Sequence, residues 1–193
     1  MNDIIKKLRE QTGAGVMDIK KALVEAGNDE KKAMEILRQH GQKVAAKKSA
    51  ERIAKEGLVA AYVHANGKVA SLVMLSCETD FVARNSEFKE LAHDLAMQVA
   101  AMNPQYLSAD KIPAAILEEE RKIQRASLKD EKKPTEVKEK IIEGRLQKFY
   151  SEFCLLEQSF IKDDKKTVKD VIDEKIAKLG EKIEVKKIAR LSF

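Results

Sequence analysis

At Gly57 the apolar residues change period, and this limits the chain to folds in which a helical first part precedes a sheet. Beyond that glycine, Leu58–His64 and Val69–Leu75 read as strands, and they flank Ala65-Asn66-Gly67-Lys68. An Asn-Gly pair tolerates the positive φ angles of a tight turn, so the two runs are predicted to form a β-hairpin.

Before Gly57 the spacing is helical. Ile4, Ile5 and Leu8 share one face, and Thr12-Gly13-Ala14-Gly15 then breaks the chain. Val16, Ile19, Leu23 and Ala26 form a second stripe that Gly27 terminates. Asn28 or Asp29 is placed to cap a third helix, whose stripe of Ala33, Ile36, Leu37 and His40 ends before Gly41. Residues 42–56, with Lys43, Lys47, Lys48, Arg52 and Lys55, read as a mostly exposed helical connector.

After the hairpin, Phe88, Leu91, Ala92, Leu95, Val99 and Met102 mark the buried stripe of a helix over 86–102, which Asn103-Pro104 ends. Two charged helices over 113–150 break near Lys133-Pro134, and the second carries Ile142, Leu146, Phe149 and Phe153 on a narrow seam. A helix from Thr167 to Leu179 stops at Gly180, and Ile183–Phe193 reads as a closing strand. The order α-α-α-connector-β-β-α-α-α-α-β is that of an α+β protein with a small antiparallel sheet covered by helices. The expected organisation is a three-helix bundle over 1–41, the connector over 42–56, and an α+β core over 57–193 that includes the helical hairpin 113–150.

Composition narrows the function classes. Of 193 residues 36% are charged and only nine are aromatic, six Phe and three Tyr, so Ile, Leu, Val, Ala and Met must fill the core. Lys plus Arg exceed Asp plus Glu, 37 against 32, but the excess is spread along the chain, which suits a solvated mixed-charge surface better than a nucleic-acid site. Cys77 and Cys154 form no CxxC, and with only three histidines (His40, His64, His93) no metal cluster is expected. The N-terminal residues lack a signal-peptide core, and no apolar run is long enough to span a membrane. A soluble cytoplasmic protein with reduced thiols is expected.

No GxxxxGK[ST] or GxGxxG occurs, so the chain does not read as a nucleotide-binding enzyme, and no cofactor is expected. A cysteine hydrolase using Cys77 with His64 or His93 is the weakest reading, because Cys77 ends an apolar strand. An RNA-binding module using the 42–56 helix would want stacking aromatics on an exposed sheet, and Tyr62 is the obvious candidate. The unusual feature is Thr79-Asp80-Phe81-Val82, in an exposed loop between a strand and a helix. Two readings fit it. Either Phe81 and Val82 tuck beneath the loop while Asp80 caps a turn, or an apolar wedge and a carboxylate are presented to a partner. Composition does not decide between them.

Two stretches resemble the motifs of the elongation factor Ts family. Leu8-Arg9-Glu10-Gln11-Thr12-Gly13-Ala14-Gly15-Val16-Met17-Asp18-Ile19-Lys20-Lys21-Ala22-Leu23 is similar to its N-terminal motif, and Cys77-Glu78-Thr79-Asp80-Phe81-Val82-Ala83-Arg84 to its second. Glu143–Phe149 and Leu155–Phe160 extend the likeness through almost the whole chain, with departures at Met74 and Ser76, where the family often has Glu and Asn.

The resemblance implies a non-enzymatic guanine nucleotide exchange factor whose partner is elongation factor Tu. It implies that the N-terminal helices form a module like the ubiquitin-associated fold, docking through Arg9, Thr12, Gly13, Ala14, Gly15, Val16 and Met17. Thr79, Asp80, Phe81 and Val82 would then intrude near the partner's magnesium and phosphate region. The single core subdomain resembles the family's short form, which implies a homodimer; apolar residues on the 58–77 sheet and on the 113–150 hairpin are the two candidate interfaces. Neither direct nucleic-acid binding nor membrane association is implied.

Overall fold

The structure, a computed structural model, describes residues 2–129 and 134–193, without the side chain of Asn2. Helices α1 (Asn2–Thr12), α2 (Val16–Glu25) and α3 (Glu30–Glu51) come first. Ile5, Leu8, Ile19, Ala22, Leu23, Ala33 and Leu37 bury against one another in a core of their own. Gly27 follows α2 at φ +62°, and the Asp29 carboxylate caps α3 by accepting from the amides of Lys31 and Lys32.

The third helix does not stop at Gly41, and His40 on it is exposed. It runs through Gly41 for 22 residues, so much of the expected connector is its second half. The glycine serves close packing instead: a Cβ there would lie 3.3 Å from Cβ of Ala177 on α8 (Val168–Leu179). This half is also less exposed than its lysines suggest. Ala45 is fully buried in the main core, and the Lys48 ammonium donates to the carbonyl of Gly180 at 2.7 Å.

The hairpin forms as expected. Strands β1 (Glu56–Val63) and β2 (Val69–Cys77) pair antiparallel, and β5 (Glu184–Ser192) joins the other side of β2. Leu58, Ala60 and Tyr62 of β1, Val73, Leu75 and Cys77 of β2, and Val185 and Ile188 of β5 line the inner face. A register shift opposite Met74 and Leu75 places Val185 and Ile188, three residues apart, on that same face. Helix α5 (Ser86–Met102) covers it with Phe88, Leu91, Ala92, Leu95, Ala96 and Val99, while Met102 at its end is exposed. The buried hydroxyl of Ser71 donates to the Ala96 carbonyl at 2.6 Å and fixes sheet and helix together.

Helices α6 (Ala114–Ser127) and α7 (Thr135–Phe153) make the hairpin around Leu128, Ile142 and Leu146. Phe149 and Phe153 are only half-buried and pack on each other, ring centroids 4.7 Å apart. Lys133, half of the expected break, lies outside the described residues; Pro134 N-caps α7. A small ribbon of β3 (Ser159–Phe160) and β4 (Asp163–Thr167) was not predicted. Thr167 and Asp170 then form a capping box at the start of α8, and Gly180 ends that helix at φ +79°.

Candidate functional site

The junction after β2 is a short helix rather than an open loop. Residues Asp80–Arg84 make one turn, α4, and the residue that caps it is Thr79, whose Oγ1 accepts from the Val82 amide. Asp80 is not the cap; its carboxylate pairs with Arg84 one turn on, at 3.1 Å. The helical turn separates Phe81 from Val82, which the first of the two sequence readings tucks beneath the loop together. Val82 and Ala83 pack onto the main core, whereas the Phe81 side chain is 82% exposed.

Hydrogen bonds from outside α4 fix its base. The Glu181 carboxylate, one residue beyond the end-cap of α8, accepts from the amides of Glu78 (3.1 Å) and Thr79 (3.0 Å) and from the Thr79 hydroxyl (2.7 Å). In return the Glu78 carboxylate accepts from the Lys182 amide and from Arg52. Burial pushes the Glu78 carboxyl upward in pKa, but the Lys182 amide and the Arg52 guanidinium outweigh it and hold the group below its usual range.

Burial, reinforced by the nearby Glu181 carboxylate, pushes the Cys77 thiol up to about 11. Its hydrogen-bond partner is the Thr79 carbonyl, not an imidazole. His64 instead meets the hydroxyl of Tyr62, whose ring also lies against His93. A neutral buried thiol is a poor nucleophile at pH 7, so this arrangement does not assemble a cysteine-hydrolase site. Among the described residues no group of three or more His, Cys, Asp or Glu side chains is placed to hold a metal.

The N-terminal segment divides between internal and outward roles. Thr12 Oγ1 donates to the Leu8 carbonyl and accepts from the Ala14 amide, which closes the turn after α1. Gly13 adopts φ +67° and donates to the Arg9 carbonyl, and Ala14 packs on the bundle core. Gly15 is the N-cap of α2. Arg9, Val16 and Met17 are exposed, Met17 at 66%. The Lys178 backbone abuts Gly13, and its ammonium pairs at 2.8 Å with Glu87 in the first turn of α5.

A second surface lies on the outer face of the sheet. Three cross-strand rows run Val59–Met74–Lys187, Ala61–Leu72–Ala189 and Val63–Ala70–Leu191. Eight of these nine positions are apolar, and seven of the eight are exposed, Ala70 being the partly covered one.

Comparison with known proteins decides the kinship. The family model described as "Elongation factor TS" matches residues 1–191. The Elongation factor Ts of Thermotoga petrophila is 55% identical over 188 residues, covering 97% of this chain and 93% of the relative. That of Pseudothermotoga lettingae is 54% identical over 189 residues, covering 98% and 95%. That of Carboxydothermus hydrogenoformans is 53% identical over 192 residues, covering 100% and 88%. The chain belongs to the elongation factor Ts family.

Within this member of the elongation factor Ts family, sequence reasoning missed Glu78, Glu181, Lys182, Lys48 and Arg52, the residues that tie the Thr79–Val82 turn to the rest of the protein. Glu181 follows a C-cap glycine and sits among other charged residues, with no local pattern that singles it out. Arg52 and Lys48 fall within the basic stretch that reads as solvated surface.

Proposed function

We propose that the chain is a guanine nucleotide exchange factor of translation elongation. It binds elongation factor Tu carrying GDP, disturbs the partner's magnesium and phosphate site, and promotes GDP release so that GTP rebinds. The observation that carries this reading is Phe81: a large apolar side chain standing in solvent on a turn that is capped, packed beneath and hydrogen-bonded at its base. Solvent gives such a side chain nothing to gain; a protein pocket does.

Exchange requires differential binding and no covalent chemistry, so the chain acts without being an enzyme. A nucleotide held at nanomolar Kd is bound by about 12 kcal/mol. The factor need not match that. It must bind the nucleotide-free partner more tightly than the GDP-bound one, and by linkage each ligand then weakens the other equally. A packed phosphate site has discrete arrangements, so one wedge inserted at the right place moves it from one to another.

The N-terminal bundle is the docking module in this scheme, related to the ubiquitin-associated fold, with Arg9, Val16 and Met17 toward the partner. Thr12, Gly13, Ala14 and Gly15 shape the turn that presents them. Asp80, beside Phe81, supplies the carboxylate near the partner's magnesium. The protein works in the cytoplasm as a homodimer whose subunits meet through the outer face of the sheet; that exposed apolar surface supports the sheet over the α6–α7 hairpin.

The test is stopped-flow release of labelled GDP from elongation factor Tu. The unmutated chain should accelerate release, and Phe81→Ala, with its fold intact, should lose most of that acceleration. A chain that leaves GDP release at its spontaneous rate overturns the proposal.

A further inference from the structure

We infer that Glu181 is a positioning residue for nucleotide exchange, acting through the Thr79–Val82 turn; this rests on the exchange-factor reading above. Helix α4 has only five residues, and a single turn is too short to hold its own conformation in water. Phe81 makes no packing that would orient it, since most of its surface is in solvent. The direction in which it projects is therefore set at the base of the turn.

There Glu181 does three things with one carboxylate. Its Oε2 accepts from two successive backbone amides, Glu78 and Thr79, and so fixes the peptide plane that leads into α4. Its Oε1 accepts from the Thr79 hydroxyl, and that same hydroxyl oxygen accepts from the Val82 amide. Donating to Glu181 orients the Thr79 oxygen so that a lone pair faces the helix. A continuous chain of polar contacts thus runs from Glu181 through Thr79 into the first turn of α4, with Phe81 between its two ends.

Neighbouring bonds hold Glu181 itself in place. The Gly180 carbonyl accepts from Lys48 and Arg52, the Lys182 amide donates to Glu78, and the Lys182 ammonium donates to the carbonyls of Ser49 and Arg52. The end of α3, the turn after α8 and the base of α4 are therefore one hydrogen-bonded unit. Glu181 touches no partner in this scheme; it controls where Phe81 stands.

The experiment measures GDP release from elongation factor Tu across a range of full-chain concentrations, for the unmutated protein, Glu181→Gln, Glu181→Ala, Phe81→Ala and the double variant Glu181→Ala/Phe81→Ala. Losing charge-assisted hydrogen bonds to the turn should lower the maximal rate of Glu181→Ala by about 10-fold or more, with the half-saturating concentration within about twofold, because the N-terminal docking surface is untouched. Glu181→Gln keeps an acceptor for the two amides and loses the one for the Thr79 hydroxyl, so its rate should fall between the two.

The double-mutant comparison separates positioning from general stability. In the Phe81→Ala background, Glu181→Ala should cost less than about twofold more, since the side chain it positions is gone. An equal fold-loss in both backgrounds, or an unmutated rate in Glu181→Ala, overturns the inference. If Glu181→Ala does not fold, Glu181→Gln takes its place in both backgrounds: an unmutated maximal rate, or an equal fold-loss with and without Phe81, overturns the inference, and a loss confined to the background that keeps Phe81 supports it. An unmutated chain that fails to accelerate release overturns the exchange-factor reading instead, so the two failures are distinguishable.

Discussion

A Cβ on Gly13 would lie 2.7 Å from the Cα of Lys178, so the turn after α1 sits directly on the backbone of α8. This contact brings the N-terminal bundle against the core. Lys178 extends the connection, because its ammonium pairs with Glu87 while Lys175 pairs with the same carboxylate. The two lysines hold the Glu87 carboxyl below its usual pKa range.

Gly13→Ala should therefore cost more than a glycine change of equal backbone strain. Gly27 supplies the comparison: it has φ +62°, close to the +67° of Gly13, but no atom lies within 4 Å of the point its Cβ would occupy. Each alanine bears a left-handed backbone penalty of about 1–2 kcal/mol. Gly13→Ala bears in addition about 1–3 kcal/mol for the clash with Lys178. Urea unfolding of both variants measures the difference directly. Equal losses would show that the turn does not pack on α8 in solution.

Two phenylalanines seven residues apart should behave oppositely. Phe88 is fully buried beneath the sheet, and Phe88→Ala should destabilise the protein by about 3–5 kcal/mol. Phe81→Ala removes a side chain that packs on little, and unfolding free energy should stay within about 0.5 kcal/mol of the unmutated value. Denaturant midpoints test this. A loss above about 1 kcal/mol in Phe81→Ala would mean that the ring is held against the protein and not presented.

What the sequence revealed and what it concealed divide by distance along the chain. The Asn66-Gly67 hairpin, the apolar stripe of α5, and Thr167 and Gly180 at the ends of α8 are local signals, and each led to the right element. Gly41 misled because a glycine that stops a helix and one that admits a neighbouring helix look alike until Ala177 is placed beside it. The base of α4 was illegible for the same reason. Glu181 lies 102 and 103 residues from the groups it binds, and Lys48 lies 132 from the carbonyl it meets. The Thr79–Val82 stretch stood out as unusual, yet only its helical phase separates the exposed Phe81 from the packed Val82 beside it.

Asp173 on α8 should make part of the stability pH-dependent in a direction opposite to most carboxylates. Burial, and to a lesser degree Asp170, pushes its carboxyl from 3.8 up to about 6, against the lowering effect of Lys169. A raised acid pKa in the folded state means that the native protein holds the proton more tightly than the unfolded chain. This contribution is favourable at low pH and fades as pH rises from about 3.8 to 6. Above pH 7, where Asp173 is ionised, Asp173→Asn should be more stable than the unmutated protein by about 1–2 kcal/mol, solvent screening of this partly exposed group discounting the full shift, and the advantage should vanish below pH 3.8. Urea titrations at several pH values, comparing the two proteins, isolate this group from the oppositely shifted Glu78 and Glu87. A pH-independent difference would exclude a titrating Asp173 as its source.

The outer face of the sheet carries the last prediction. Leu72 occupies its centre, flanked by Ala61 and Ala189 in the same row, with Val59 and Met74 on one side and Val63 and Leu191 on the other. Leu191 alone is 77% exposed, and the patch is contiguous across all three strands. Contiguous exposed apolar surface of this kind marks an interaction site, and a flat sheet face packs on a second sheet at about 10 Å. The central strand is paired on both sides, so contact at the middle of this face is made through side chains. Leu72→Glu places a charge at the middle of that face without touching the inner core, because Ser71 and Val73 on either side of it point inward. Sedimentation at micromolar concentration should show a dimer for the unmutated chain and a monomer for Leu72→Glu, with unchanged circular dichroism. A variant that remains dimeric would move the interface elsewhere, with the exposed Ile116, Ile123 and Val137 of the α6–α7 hairpin next to be tested.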